Sequence, residues 1–174
     1  MKEIALNILD IANNSIRAGC KTLKVEIEES EKDNFMKLTI TDDGCGMDEE
    51  VLKKVTDPFY SSRKTRHIGL GVPFLKQHAE MAGGTFDIKS KLGVGTVVTA
   101  TFVLDHPDRQ PLGDIESVMS MIISSNPEID YYYLHKTDEA EAELDTKAVK
   151  EELGDIPITE PEVIKILKDM MSLE

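Results

Sequence analysis

Cysteine is scarce in this chain of 174 residues, which has only Cys20 and Cys45. Their spacing fits neither a metal site nor a disulfide framework, so both read as small buried filler. No apolar run reaches membrane-spanning length, and the opening Met1-Lys2-Glu3-Ile4 is not a signal peptide. The simplest expectation is a cytoplasmic protein with no membrane contact. Several signatures are also missing: Gly-x-x-x-x-Gly-Lys-Ser/Thr, a three-glycine dinucleotide fingerprint after a strand, His-Glu-x-x-His, and a hydrolase nucleophile motif. Positive charge is short, with 20 Lys+Arg against 33 Asp+Glu and a net charge of −13. The deficit is local: residues 1–104 hold 15 acids and 14 bases, whereas residues 105–174 hold 18 and 6. This places a boundary near Asp105-His106-Pro107-Asp108, between a domain at 1–104 and an acidic accessory subdomain at 105–174. It also argues against nucleic-acid binding, because phosphates would be repelled.

What is present begins with an amphipathic helix over residues 2–18, on which Ile4, Ala5, Ile8, Ile11 and Ala12 recur at helical spacing before Gly19. Asp10 and Asn14 are four apart and share a face. Residues 21–28 and 35–41 alternate and predict a β-hairpin. It leads into Thr41-Asp42-Asp43-Gly44-Cys45-Gly46-Met47, an acid at a strand end followed by two glycines. Glycines let the backbone approach a bulky flat group or turn where a side chain would clash, and the acid can accept from an exocyclic amine; a plain Gly-rich turn with solvated acids is the competing reading. A short helix starts at Asp48-Glu49-Glu50. Residues 59–68 form a basic loop that enters Gly69-Leu70-Gly71-Val72-Pro73 and a helix running to about Ala82. A Gly-rich turn opening a helix suits phosphate, and Arg63, Lys64 and Arg66 strengthen that; the alternative is a solvated surface loop. Strands at 85–90 and 97–104 flank the turn Leu92-Gly93-Val94-Gly95-Thr96. In the tail, helices are expected at 114–124, 146–153 and 160–171, with a strand at 129–135.

Taken in order, these motifs resemble the GHKL ATPases: gyrase B, the large heat-shock chaperone, sensor histidine kinases and MutL. The resemblance covers residues 2–104. Asn13 to Cys20 and Thr39 to Met47 are most like MutL, and Asp57 to Tyr60 through Gly83-Gly84-Thr85 are more like the kinases. It implies an α/β (α+β) two-layer sandwich of the Bergerat type, with a mixed, mostly antiparallel sheet and helices on one face; here an acidic α/β C-terminal extension is added. It implies ATP and Mg²⁺ as ligands. Asn14 is similar to the family's Mg²⁺ ligand, and one protein oxygen can suffice because magnesium keeps waters and bridges phosphates. Asp42 is similar to the adenine reader, with Gly44, Gly46 and Met47 around the base. Gly69, Leu70 and Gly71 would cradle phosphates, Lys64 would lie in the lid, and Thr96 would help to fix Asp42 and the adenine. Asp10 departs from the pattern, since hydrolysing members have Glu there. The reach to an attacking water differs by about 1.5 Å, which matters against near-attack distances of about 3–3.5 Å.

None of His67, His78, His106 and His135 sits in a recognisable phosphoacceptor helix, so a self-contained histidine kinase is not expected. The leading expectation is a Mg²⁺-dependent ATP-binding switch, with Asp10 as base, whose loop at 60–68 is ordered by ATP and read by a protein partner. A serine kinase acting in trans on a partner and a non-catalytic nucleotide-binding module are the alternatives. Homodimers are common in the family, though no dimerisation helix is evident. A looser resemblance is to stand-alone ATP-binding proteins that occur beside bacterial iron-only hydrogenases.

Overall fold

The computed structural model describes residues 3–57 and 71–173. The expected basic loop at 59–68, with Lys64, and the phosphate-cradle residues Gly69 and Leu70 lie outside the described residues. Helix α1 spans Ile4–Arg17 and buries Ile4, Ala5, Ile8, Ile11 and Ala12. Glu3 gives its N-terminus no side-chain cap; instead Ile4 N donates to Pro111 O at 3.0 Å and Ala5 N to Leu112 O at 2.8 Å. Residues far along the chain thus satisfy the orphan amides that every helix start leaves. Strands β1 (Thr22–Ser30) and β2 (Phe35–Asp42) pair antiparallel. Helix α2 (Glu49–Lys54) follows, its first turn capped by Asp48, which accepts from Val51 N. Helix α3 (Gly71–Met81) leads to the hairpin of β3 (Phe86–Lys91) and β4 (Gly95–Val103).

Past residue 105 the chain adds to the same sheet. Helix α4 (Ile115–Ser125) is capped by Asp114 and precedes β5 (Asp130–Lys136), which runs parallel to β1. Strand β6 (Glu141–Asp145) pairs antiparallel with β5 and completes a six-stranded sheet of order β3-β4-β2-β1-β5-β6. Helices α5 (Thr146–Leu153) and α6 (Pro161–Met171) follow. Strand β6 is the element not expected from sequence. Its residues Glu141-Ala142-Glu143-Leu144-Asp145 carry only two apolar side chains, and both are buried.

The alternation in β1 separates the two faces of the sheet. Leu23, Val25 and Ile27 are fully buried, while Lys24 and Glu28 are exposed. In register with the buried set stand Ile40 and Leu38 on β2 and Tyr131 and Tyr133 on β5. One core runs from Ile4 and Ile8 on α1 through these strands to Leu167 and Met171 on α6. The helices therefore cover one face of a mixed sheet that is antiparallel in all but the β1–β5 pair. Cys20 is buried as expected, but Cys45 is exposed, since it sits on the outside of the turn between Gly44 and Gly46.

Candidate functional site

Register fixes the floor of the site. Ser90, Thr96, Asp42 and Leu23 stand in one row across β3, β4, β2 and β1, on the face beneath the helices. Asp42 ends β2, and both its oxygens are engaged: Ser15 Oγ donates to Oδ2 at 2.6 Å, and Gly44 N donates to Oδ1 at 2.9 Å. A carboxylate oxygen has capacity for more than one donor, so Asp42 is held in place and keeps acceptor sites for a ligand.

The loop after Asp42 folds back against the β3–β4 turn. Cys45 N donates to Ala18 O at 2.9 Å, and Gly93 N donates to Cys45 O at 2.8 Å. Gly46 has φ +73°, and a Cβ there would lie 2.1 Å from the Lys91 carbonyl oxygen, so the approach of the two segments requires glycine. Met47 N donates to Ser90 Oγ at 2.8 Å, and that hydroxyl also contacts Gly95 O at 3.0 Å and Thr96 Oγ1 at 2.7 Å. A serine hydroxyl has one proton. With it on the Gly95 carbonyl, Thr96 donates to Ser90 and presents acceptor lone pairs.

Asn14, Ser15, Asp42, Gly46, Met47 and Thr96 line one pocket between α1, α2, α3 and the sheet. Ile11, Val55, Val72, Ile88 and Val98 supply its apolar walls, and its volume is about 70 Å³. Gly44 sits behind Asp42, where a Cβ would meet Ala18. Asn14 Oδ1 accepts from Arg17 Nη1 at 3.3 Å. Asp10 lies one turn before Asn14 on α1, half-buried. Burial pushes its carboxyl above the ordinary aspartate range, and Arg17 opposes this in part. Gly71 opens α3 directly on Asp10: a Cβ at Gly71 would fall 2.6 Å from the Cβ of Asp10. Thus α3 begins beside the one carboxylate that shares the helix face of Asn14.

Of the residues expected at the site, the pocket lining includes Asn14, Asp42, Gly46, Met47 and Thr96, while Asp10, Gly44 and Gly71 stand immediately around it. Lys64, Gly69 and Leu70 lie outside the described residues. Sequence reasoning missed Ser15 and Ser90, the two hydroxyls that hold Asp42 and Thr96. The signal was present for both, since Ser15 falls on the buried stripe of α1 and Ser90 shares the alternation phase of Ile88.

Residues 2–106 match the family described as histidine kinase-, DNA gyrase B-, and HSP90-like ATPase. Relatives include the non-motile and phage-resistance protein of Caulobacter vibrioides, 30% identical over 116 residues that are 63% of this chain and 14% of that protein. The sensor protein SrrB of Staphylococcus aureus is 32% identical over 112 residues, 62% of this chain and 18% of that protein. This chain therefore matches less than a fifth of the length of these relatives. The MutL ATPase domain of Aquifex aeolicus, solved with ADP, has the same fold, with a TM-score of 0.56 at 14% identity over 87% of this chain and 68% of that one. A family match that ends at 106 and a fold match over 87% of the chain together carry the likeness in structure into the acidic tail. By sequence and by fold, the chain belongs to the histidine kinase-, gyrase B- and HSP90-like (GHKL) family of ATPases and carries its ATP-binding domain.

Proposed function

We propose that this protein is a Mg²⁺-dependent ATP-binding switch that hydrolyses ATP slowly, and whose nucleotide state is read by a protein partner. The observation that carries the reading is the meeting of Asn14, Asp42, Gly46, Met47 and Thr96 around one pocket, one helical turn from Asp10. In this reading Asp42 accepts from the exocyclic amine of adenine, and Thr96, set by Ser90, supports it. Gly46 leaves room for the base, and the start of α3 at Gly71 faces the phosphates.

The donors present suit magnesium brought in with nucleotide. The described residues hold no cluster of three His, Cys, Asp or Glu able to cage an ion, whereas Asn14 offers one neutral oxygen at the pocket wall. Bound there, the ion would neutralise phosphate charge. For hydrolysis, a water oxygen forms the new bond to the γ-phosphorus while the bond to the β–γ bridging oxygen breaks. Asp10 takes the water's proton, and its raised affinity for protons brings it closer to the poise a general base needs.

The pocket volume of about 70 Å³ is below the few hundred Å³ usual for small-molecule clefts, so its walls must part for the base. Helix α2 is suited to move, because none of its residues is buried. The direct test is calorimetric titration of ADP and ATP into wild type and Asp42→Asn. The reading expects binding in the wild type and a loss of about 1.5–3 kcal/mol in the variant, the size of a hydrogen bond to a charged group. Equal affinity in both would overturn the assignment of Asp42.

A further inference from the structure

Among the described residues, the second face of the sheet carries no helix. At the end of it nearest Asp42, two concavities of about 440 and 350 Å³ adjoin, both lined by Thr22 and Lys24. One extends over Lys89, Lys91, Val94 and Val97, and the other reaches Tyr132 and Lys147. Strand register sets Lys89, Val97, Thr41, Lys24, Tyr132 and Asp145 in a single row across all six strands. A row of that width is about 24 Å long, the reach of about seven residues of extended chain.

The lining of the two concavities is balanced, with Lys24, Lys89, Lys91 and Lys147 against Asp42, Asp43, Asp130 and Asp145, in a chain whose net charge is −13. Its acids are engaged. Asp43 accepts from Lys21 N and Thr22 N at 2.7 and 2.9 Å, Asp145 accepts from Lys147 N at 3.1 Å, and Asp130 pairs with Lys150 at 3.1 Å. Its lysines are not: among the described residues Lys24, Lys91 and Lys147 have no ion pair, and Lys89 meets Asp87 only at 4.0 Å with both side chains largely exposed. Beside them the β3–β4 turn holds two large apolar side chains in solvent, Leu92 at 60% and Val94 at 61% exposure. Free cations lined up with apolar surface ask for an occupant that is anionic and apolar at once.

We propose that this groove docks an extended acidic segment of a partner protein, with apolar side chains alternating with its carboxylates. The carboxylates meet Lys24, Lys89 and Lys91, and the apolar positions cover Val94 and Val97. A phosphodiester strand offers the charge without the apolar side chains, and a long one would be repelled by the acidic tail. Asp42 and Thr96 line both this groove and the candidate nucleotide pocket, so an occupant touches the strand ends that carry the nucleotide site.

The test is fluorescence anisotropy with a labelled ten-residue peptide of alternating Glu and Val, on wild type and on the triple variant Lys24→Glu, Lys89→Glu, Lys91→Glu. Expected are saturable binding to the wild type, weakened by raising salt from about 50 to about 500 mM, at least a tenfold loss in the variant, and no binding of the Lys-Val counterpart. All three lysines are exposed, so the variant should retain the wild-type ADP affinity and melting temperature. Failure of the peptide to bind, or equal binding by the variant, overturns the proposal. So does tighter, lysine-dependent binding of a labelled oligothymidylate, or self-association of the wild type that the variant loses and the peptide does not displace. Absence of ADP binding in both proteins would sink the nucleotide reading and leave the peptide result standing on its own.

Discussion

At the scale of single residues, the site depends on groups whose side chains are held by others. Asp42 is gripped by Ser15 and Gly44, and Ser90 joins Met47 to Thr96. Replacing Ser90 with Ala is expected to leave the fold intact and to weaken nucleotide binding by about 1 kcal/mol, the net worth of a typical hydrogen bond, as read by calorimetry. Asp10 predicts a pH dependence. Because burial raises its pKa from the ordinary value, the acid limb of turnover should lie above the usual aspartate range of about 3.9, with activity lost as pH falls through it. A pH profile of kcat/KM for ATP checks this, and a limb below that range would contradict the role of Asp10. Away from the site, Glu29 meets His135 at 2.5 Å, and that hydrogen bond holds the Glu29 carboxyl below its ordinary value despite burial. The contribution is present above the unfolded value of about 4.3 and is lost as pH falls through the depressed folded value. Glu29→Gln should destabilise the protein by about 1 kcal/mol in denaturant unfolding near pH 7, because it replaces a hydrogen bond to a carboxylate at the buried His135 with one to a neutral amide.

At the scale of elements, the motifs mark close crossings of the backbone. The loop after β2 and the turn between β3 and β4 meet at Gly46 and Lys91, where no side chain fits. Gly46→Ala should therefore cost about 2–4 kcal/mol in unfolding free energy and disturb both Asp42 and Thr96; a loss under about 0.5 kcal/mol would show that the loop relaxes freely. Helix α3 meets α1 at Gly71 and Asp10, and Asn7 Nδ2 lies 3.2 Å from His78 Nδ1 at a second crossing of the same helices. Alternation and helical spacing locate most element boundaries to within one or two residues, because each element buries a single face. Strand β6 escaped because three of its five residues are acidic, and an edge strand needs only two inward side chains to join a core.

At the scale of the whole molecule, what the sequence could not show was the connection of its two charge regions. Net charge changes near residue 105 and the family match ends at 106, but the sheet and the core continue. Strand β5 pairs with β1 over seven residues, and Pro111 and Leu112 complete the first turn of α1. Charge patterning reports the surface, whereas a parallel strand contact between residues 22–28 and 130–136 leaves no local mark. The site was more legible than the tail, since Asp10, Asn14, Asp42 and the glycines are residue types the chemistry demands at short spacings. A chain cut after residue 104 should fail to give a cooperative unfolding transition, because β1 would lose Tyr131 and Tyr133 from its flank.

The claim that joins these scales is that Asp10 acts on ATP held at Asp42. Phosphate release from ATP and Mg²⁺, measured for wild type and Asp10→Asn with nucleotide affinity determined on both, tests it most directly. The account predicts slow release by the wild type, release lower by about 10²–10⁴-fold in the variant, and nearly unchanged affinity. Binding without release in either protein, or equal release in both, would contradict it.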